Sequence, residues 1–472
     1  MSTSKSPPEL PAALLRRLSE LAGPGGFLTD PADCWPYGYD NSRRHALPQA
    51  VVFVTRTEQV QDLLLVCNEA GIPVTPRGRG TGTTGATVPD RGGIVLSFER
   101  MNRVLRIEPK DRIAIVAPGV LNEDLQRAAA AHGFFWPPDP TSAAACTVGG
   151  NLAYNSAGPR AVKYGTPREN TLGLTAVTGI GEVIRTGVMT TKGVVGYDLT
   201  RLIIGSEGTL ALITEATLKL TPLAEAKRTL RAAYADVHAA AAAVSAIMAQ
   251  PITPCALEIM DGAAIETVRH YADLPLPPGA RALLMIEVDG PSACIDAAAQ
   301  AVAEAASHPG LVELRVARDA EEVAALWKAR KSLSPALRHI APKKINEDVV
   351  VPVSRMGEFI EDLTALSQRY GVQIVNFGHA GNGNIHVNLL VDPERGDDLA
   401  RAHACLEAVF DLVIALGGTL SGEHGVGLEK RDFVGREISP PTLALMRAIK
   451  RQFDPNGILN LGKGLPPDGL DS

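Results

Sequence analysis

From Ala50 onward, short apolar runs alternate with segments whose apolar residues recur every three or four positions. Val51–Val54 reads as a strand, the stretch opened by Thr57 and Glu58 and ended near Gly71 as a helix, and Ile72–Thr75 as a strand running into PRGRGTGTTG. Strands are predicted at Ile94–Ser97, Val104–Glu108 and Ile113–Val116, then a helix over Asn122–His132. After a long glycine-rich tract, Thr209–Leu220 predicts a strand pair that closes this unit. An amphipathic helix at Pro11–Leu21 and a Pro/Gly-rich approach precede it. The next stretch repeats strand and helix: Thr229–Ala235, Ala239–Ala249, Ala256–Met260, Ala282–Asp289, Ala297–Ala306 and Leu311–Val316. Strands alternating with single covering helices predict an α+β layer of the ferredoxin-like type. The turn-rich FDPNGILNLGK near the end is expected to fold back on the first unit.

Composition narrows the class. The 472 residues are about three times a ~150-residue domain, so two or three domains are expected. Apolar residues at 45% and charged residues at 21% fit an ordinary folded globular chain. The net charge of -6 supplies no basic field for phosphate backbones, which argues against nucleic acid as a partner. The longest nearly apolar stretch, Ala239–Ala249, is interrupted by Ser245 and falls short of the ~18 residues of a spanning helix. MSTSKSPPEL lacks the apolar core of a secretory signal. Six scattered cysteines without a CxxC pair indicate neither a disulfide framework nor a zinc knuckle. A cytoplasmic location is the expectation, with peripheral docking at the inner membrane left open.

Gly80-Thr81-Gly82-Thr83-Thr84-Gly85 matches GxGxxG after a strand, the pattern of a dinucleotide loop. Such a loop must open a helix, whereas the following ATVPDRGG opposes one. Glycine and threonine N–H groups beside Arg77 and Arg79 still make an anion cradle suited to a pyrophosphate, with an ordinary glycine turn as the plainer alternative. A second tract, PPDPTSAAACTVGGNLAYNSAGPRAVKYG, lets backbone face a planar ligand and offers Thr141, Ser142, Thr147 and Asn151 as polar partners. Two separated cradles predict an extended cofactor.

His379 and His386 flank AGNGNI between strand-like Val372–Phe377 and Ile385–Leu390, so a hairpin can turn both imidazoles to one point. Metal ligation and a structural hydrogen-bond cluster both account for such a pair. Glu423 in SGEHGVG offers a third ligand, and two imidazoles with a carboxylate suit catalytic zinc or manganese. His424 follows it in a glycine-flanked loop, an imidazole suited to proton transfer near neutrality or to supporting a metal. A carboxylate substrate needs a cationic clamp, and LWKARKSLSPALRHIAPKK supplies Arg330, Lys331, Arg338, Lys343 and Lys344, although most such residues are simply solvated.

Six blocks together, PRGRGTGTTG, PPDPTSAAACTVGGN, DLTRLIIGSEGTLALITEATLKL, NFGHAGNGNIHVN, SGEHGVG and FDPNGILNLGK, resemble the FAD-linked oxidoreductases of the vanillyl-alcohol oxidase type. The nearest branch is that of D-lactate dehydrogenase, the glycolate oxidase flavoprotein subunit and D-2-hydroxyglutarate dehydrogenase. The resemblance implies an N-terminal segment to residue 45, a PCMH-type FAD-binding domain over 46–224, a substrate (cap) domain over 225–425 and a segment over 426–472 completing the FAD domain. It implies that Arg77, Gly78, Arg79, Gly80, Thr81 and Gly82 hold the FAD diphosphate. Pro140, Thr141, Ser142, Thr147, Gly149, Gly150, Asn151 and Gly158 would lie along the cofactor, with Ile213 and Asn460 completing the site. No histidine lies between Arg77 and Gly85, and the cysteine before TVGG, Cys146, is ordinary in this branch, so noncovalent FAD is expected.

The same resemblance assigns a divalent metal, zinc or manganese, to His379, His386 and Glu423. It makes His424 the base that takes the hydroxyl proton as hydride leaves for flavin N5, and Arg330 the carboxylate-binding residue. Ser334 and Asn388 match substrate-site positions. Asn346 stands where some relatives carry a substrate lysine, with Lys344 two positions earlier, which weakens a dicarboxylate reading. The implied activity is oxidation of a D-2-hydroxy acid, D-lactate or glycolate, with electrons passed to a quinone, cytochrome or electron-transfer flavoprotein. The alternatives are D-2-hydroxyglutarate dehydrogenase, a zinc-dependent NAD dehydrogenase, or a flavoprotein subunit active only with partner subunits; a homodimer also stays open.

Overall fold

A computed structural model describes residues 9–271 and 276–467; MSTSKSPP, on which most of the leader reading fell, lies outside the described residues. The chain divides into two compact units. The first holds residues 1–157, 165–223 and 423–472, the second residues 158–164 and 224–422.

Among the described residues the first unit contains two larger sheets and a two-stranded pair, Phe134–Phe135 with Thr221–Pro222. In one, Ala50–Phe53, Ile94–Ser97 and Val74–Arg77 run parallel, with the short strand Phe27–Leu28 added antiparallel at the edge. Parallel strands need a crossover, and Thr57–Ala70, between Ala50–Phe53 and Val74–Arg77 on either side of Ile94–Ser97, supplies one as a helix whose buried Val60, Leu63, Leu64 and Cys67 face the sheet core. The second sheet is antiparallel, in the order Val104–Glu108, Ile113–Val116, Ala211–Lys219, Thr171–Thr178 and Val183–Gly187. The pair of strands expected over Thr209–Leu220 is instead one strand, Ala211–Lys219, bulged between Ile213 and Glu215. A bulge absorbs the extra residue without a turn, so the chain stays extended where the sequence alternation falters. The FDPNGILNLGK segment returns to the first sheet: Val74 N–H donates to Ile458 and Asn460 N–H to Val74, at 2.8 and 2.9 Å.

The second unit is one seven-stranded antiparallel sheet, ordered Leu311–Val316, Ala226–Tyr234, Ala282–Gly290, Ala256–Met260, Gln373–His379, Asn384–Val391 and Lys343–Val350. Directly paired residues share a face of a sheet. The register Glu258↔His379, Phe377↔His386 and Asp348↔His386 therefore puts these four polar groups and Phe377 on one face. Helix Ala320–Ile340, capped by Asp319 and carrying Pro335 within it, packs Ala329, Leu333 and Leu337 with Met260, Phe377 and Leu390 of the same sheet. Among the described residues, no helix is long and apolar enough to cross a membrane.

Candidate functional site

In the first unit a cleft is lined by the end of strand Val74–Arg77, the helix Val148–Tyr154 and the turn Ile203–Gly208. Thr147 caps that helix through Oγ1, which accepts from Gly150 N–H at 3.1 Å. A Cβ at Gly78 would sit 2.4 Å from Thr147 Oγ1, so the two glycine-rich tracts meet backbone to side chain there and only glycine fits. Of the expected cofactor residues, Arg77, Gly78, Thr147, Gly149, Gly150, Ile213 and Asn460 line the cleft.

The others are placed differently. The Arg77 guanidinium itself is held by carbonyls, Nη1 donating to Tyr39 at 2.6 Å and Nη2 to Pro36 at 3.2 Å. Arg79 pairs with Glu99 at 3.5 Å, and Asn41 Nδ2 donates to the Thr81 carbonyl at 3.1 Å. Gly80 packs over the Arg77 guanidinium and Gly82 against the Tyr154 ring. Pro140, Thr141 and Ser142 form the turn before buried Cys146, whose N–H donates to the Ser142 carbonyl at 2.8 Å. Asn151 is buried in the helix, and Gly158 belongs to the second unit. Burial pushes the Cys146 thiol up, which suppresses the thiolate that covalent attachment would need.

Sequence reasoning missed Tyr154, Ser206 and Glu207, which line the same cleft. Ser206 and Glu207 sit inside DLTRLIIGSEGTLALITEATLKL, a block that carries the family resemblance but in which neither residue was singled out. Ser206 Oγ and Asn460 Oδ1 are buried cleft atoms with no hydrogen-bond partner among the described residues. Buried polar atoms of that kind call for a polar ligand, and with the long, mostly apolar glycine-lined wall they fit a dinucleotide bearing a flat ring system. The loop carrying His424 belongs to this unit as well: Thr84 Oγ1 donates to the His424 carbonyl at 3.3 Å and Ser156 Oγ to the Glu423 carbonyl at 2.7 Å.

In the second unit, the expected hairpin forms from Gln373–His379 and Asn384–Val391 around a short turn, and brings the His379 and His386 rings to 5.2 Å between centroids, nearly perpendicular. Both are buried. The element the sequence did not single out is Glu258, in the buried strand ALEIM. Its Oε1 lies 2.6 Å from His379 Nδ1, and its Oε2 accepts from Arg330 Nε at 2.7 Å. A lone charge inside an apolar strand always requires partners, which was the available signal. Burial would raise the Glu258 carboxyl, but the charges and hydrogen bonds of His379 and Arg330 outweigh it and hold it below the usual range. A carboxylate on Nδ1 orients an imidazole so that Nε2 faces outward, the arrangement typical of metal-ligating histidines. Arg330 also stacks 4.8 Å over the Phe377 ring.

Asn388 lies on the His386 face, fully buried, with Nδ2 donating to the carbonyls of Val375 and His386 at 3.0 Å. Lys344 Nζ donates to Ser334 Oγ at 2.6 Å in an exposed position. Asp348, also fully buried, accepts from Gly422 N–H at 2.9 Å and fixes the chain one residue before Glu423.

Two family profiles match the chain: FAD binding domain over residues 48–187, and FAD linked oxidases, C-terminal domain, over residues 223–464. The chain is 39% identical over 453 residues to the glycolate oxidase subunit GlcD of Bacillus subtilis (strain 168), covering 96% of each chain. It is 34% identical to a D-lactate dehydrogenase of Anaerostipes hadrus (89% of this chain, 90% of the relative). It is 32% identical to a D-2-hydroxyglutarate dehydrogenase of Stutzerimonas stutzeri (96% and 98%). The solved structure of p-cresol methylhydroxylase with substrate bound matches with a TM-score of 0.77 at 19% identity, covering 96% of both chains, a likeness of fold.

Proposed function

The chain belongs to the FAD-linked oxidase family, and on that footing we propose that it oxidises a small 2-hydroxy acid, glycolate or D-lactate, to the 2-oxo acid. The carrying observation is the buried Glu258, which locks His379 and Arg330 on one sheet face with His386. A 2-hydroxy acid presents a carboxylate and a neighbouring hydroxyl, and this face pairs a guanidinium with an oriented imidazole set.

FAD, when bound in the first unit's cleft, supplies the two-electron hydride acceptor. Its attachment is noncovalent on this reading, since the Cys146 thiol is buried and pushed up. His379, His386 and Glu423 would hold a divalent metal, zinc or manganese, whose Lewis acidity would favour ionisation of a hydroxyl. Arg330 binds the carboxylate, its fork already aligned by Glu258, and Ser334 and Asn388 shape the same region. His424 takes up the hydroxyl proton at an imidazole nitrogen as the C2 hydride leaves. Electrons then pass to a quinone, cytochrome or electron-transfer flavoprotein. The relatives named as subunits support a chain that works beside partner subunits.

An anaerobic titration of the flavin-loaded protein with glycolate, D-lactate and D-2-hydroxyglutarate tests this. Bleaching of the flavin band by the first two, faster than by the dicarboxylate, is expected. Fastest bleaching by the dicarboxylate would shift the substrate to 2-hydroxyglutarate, and a flavin left oxidised by all three would sink the hydroxy-acid reading.

A further inference from the structure

Glu207 stands out among the buried titratable groups of the first unit because its carboxylate reaches a loop more than two hundred residues away in sequence. Its Oε1 accepts from Val426 N–H at 2.5 Å and its Oε2 from Gly427 N–H at 2.8 Å. The residue is held from behind by two backbone hydrogen bonds in an unusual backbone conformation. Its N–H donates to the Ala153 carbonyl at 2.8 Å, its carbonyl accepts from Asn460 Nδ2 at 2.6 Å, and its backbone takes φ 54°, a left-handed conformation uncommon for a non-glycine residue. On the loop side, a Cβ at Gly425 would lie 2.5 Å from Glu207 Oε1 and 2.6 Å from the Tyr154 ring, so the loop can dock this closely only as glycine. Gly425 follows His424 directly.

We propose that Glu207 is the positioning residue of the 423–427 loop, whose ionised carboxylate clamps Val426 and Gly427 and thereby sets His424, and whose protonation loosens that clamp. The geometry requires the ionised form. Both oxygens face N–H donors, and a protonated carboxyl turns one acceptor into a donor aimed at another donor. Burial meanwhile pushes this carboxyl up to about 7, against the two backbone donors and the charges of Lys430 and Lys463. Lys430 is almost fully buried and Lys463 is paired with Asp90, while Tyr154 faces the carboxylate from the helix Val148–Tyr154. The clamp therefore changes state within the physiological pH range.

The inference rests on the reading of His424 as the base, and two readouts separate the two claims. Deuterium uptake of the peptide spanning residues 423–428 needs no substrate. It should rise in Glu207→Gln relative to the wild-type holoprotein at pH 8, and the difference should shrink at pH 6. Flavin reduction by the hydroxy acid should slow ~10- to 100-fold in limiting rate with little change in KM and FAD still bound, as for loss of a charge-assisted hydrogen bond. The ratio of wild-type to variant rates cancels groups common to both, so it should climb with pH through about 7 and then level. Glu207→Asp should restore part of that pH-dependent ratio, and Glu207→Asn should not; this pair reads the same difference if Glu207→Gln fails to retain FAD. Uptake unchanged in the variants overturns the clamp. Altered uptake with a pH-independent rate ratio overturns the setting of His424, and absence of any substrate reduction in the wild type indicts the hydroxy-acid reading while the exchange data still decide the clamp.

Discussion

At the scale of single residues, the polar cluster of the second unit is built around Glu258, whose apolar strand signals a need for partners without saying which they are. The histidine pair was legible because both sit in one short hairpin. Glu258 was not, because its partners Arg330 and His379 lie 72 and 121 positions away. Removing the charge leaves a buried guanidinium without its counter-ion, a loss of about 3 kcal/mol in systems of this kind. An amide in its place offers one acceptor oxygen where the carboxylate offers two, so it cannot accept from His379 Nδ1 and Arg330 Nε with separate oxygens. Glu258→Gln should therefore lower the denaturation midpoint and weaken divalent-metal binding ~10- to 100-fold, followed by metal titration of the purified chain. Metal affinity equal to wild type would show that His379 is not oriented for ligation by Glu258.

At the scale of elements, strands and helices follow from periodicity, whereas junctions depend on buried caps with distant partners. Asp261 closes strand Ala256–Met260 and opens helix Gly262–Tyr271, accepting from Ala264 N–H at 2.8 Å and from Asn376 Nδ2 at 2.9 Å. Burial pushes its carboxyl from 3.8 to about 6 despite those donors. Between these values the folded chain keeps a proton that the unfolded chain releases, so stability falls as pH rises through that window, by up to about 3 kcal/mol. Asp261→Asn abolishes this contribution. The stability of the variant relative to wild type should increase from pH 4 to pH 6 and stay level above, measured by denaturant unfolding at each pH. A difference that does not change with pH would remove Asp261 as the cause. The strand Ala211–Lys219 was misread as two for a related reason: its bulge is set by the register against Thr171–Thr178, which no local pattern encodes.

At the scale of the whole chain, the return of the C-terminal segment to the first unit was visible in its turn-rich composition, but the transfer of residues 158–164 to the second unit was not. That stretch reads as part of a glycine-rich cradle, while Lys163 and Tyr164 bond Asp289, which lies 126 and 125 positions on. The division has a consequence for ligands. Every residue lining the cleft belongs to the first unit, whereas His379 and His386 belong to the second, and Glu423, the one proposed metal ligand in the first unit, does not line the cleft. Loss of metal leaves the cleft's glycine walls and its Ser206 and Asn460 acceptors untouched, so the two ligands should be separable. Dialysis against a chelator should abolish hydroxy-acid-driven flavin bleaching and leave the flavin absorbance in place. Restoring zinc or manganese should return the bleaching, and His379→Ala should reproduce the chelated state without rescue by metal. FAD released together with the metal would mean that one ligand set depends on the other, and bleaching that survives complete metal removal would take metal out of the reaction and leave Arg330 and His424 to carry it alone.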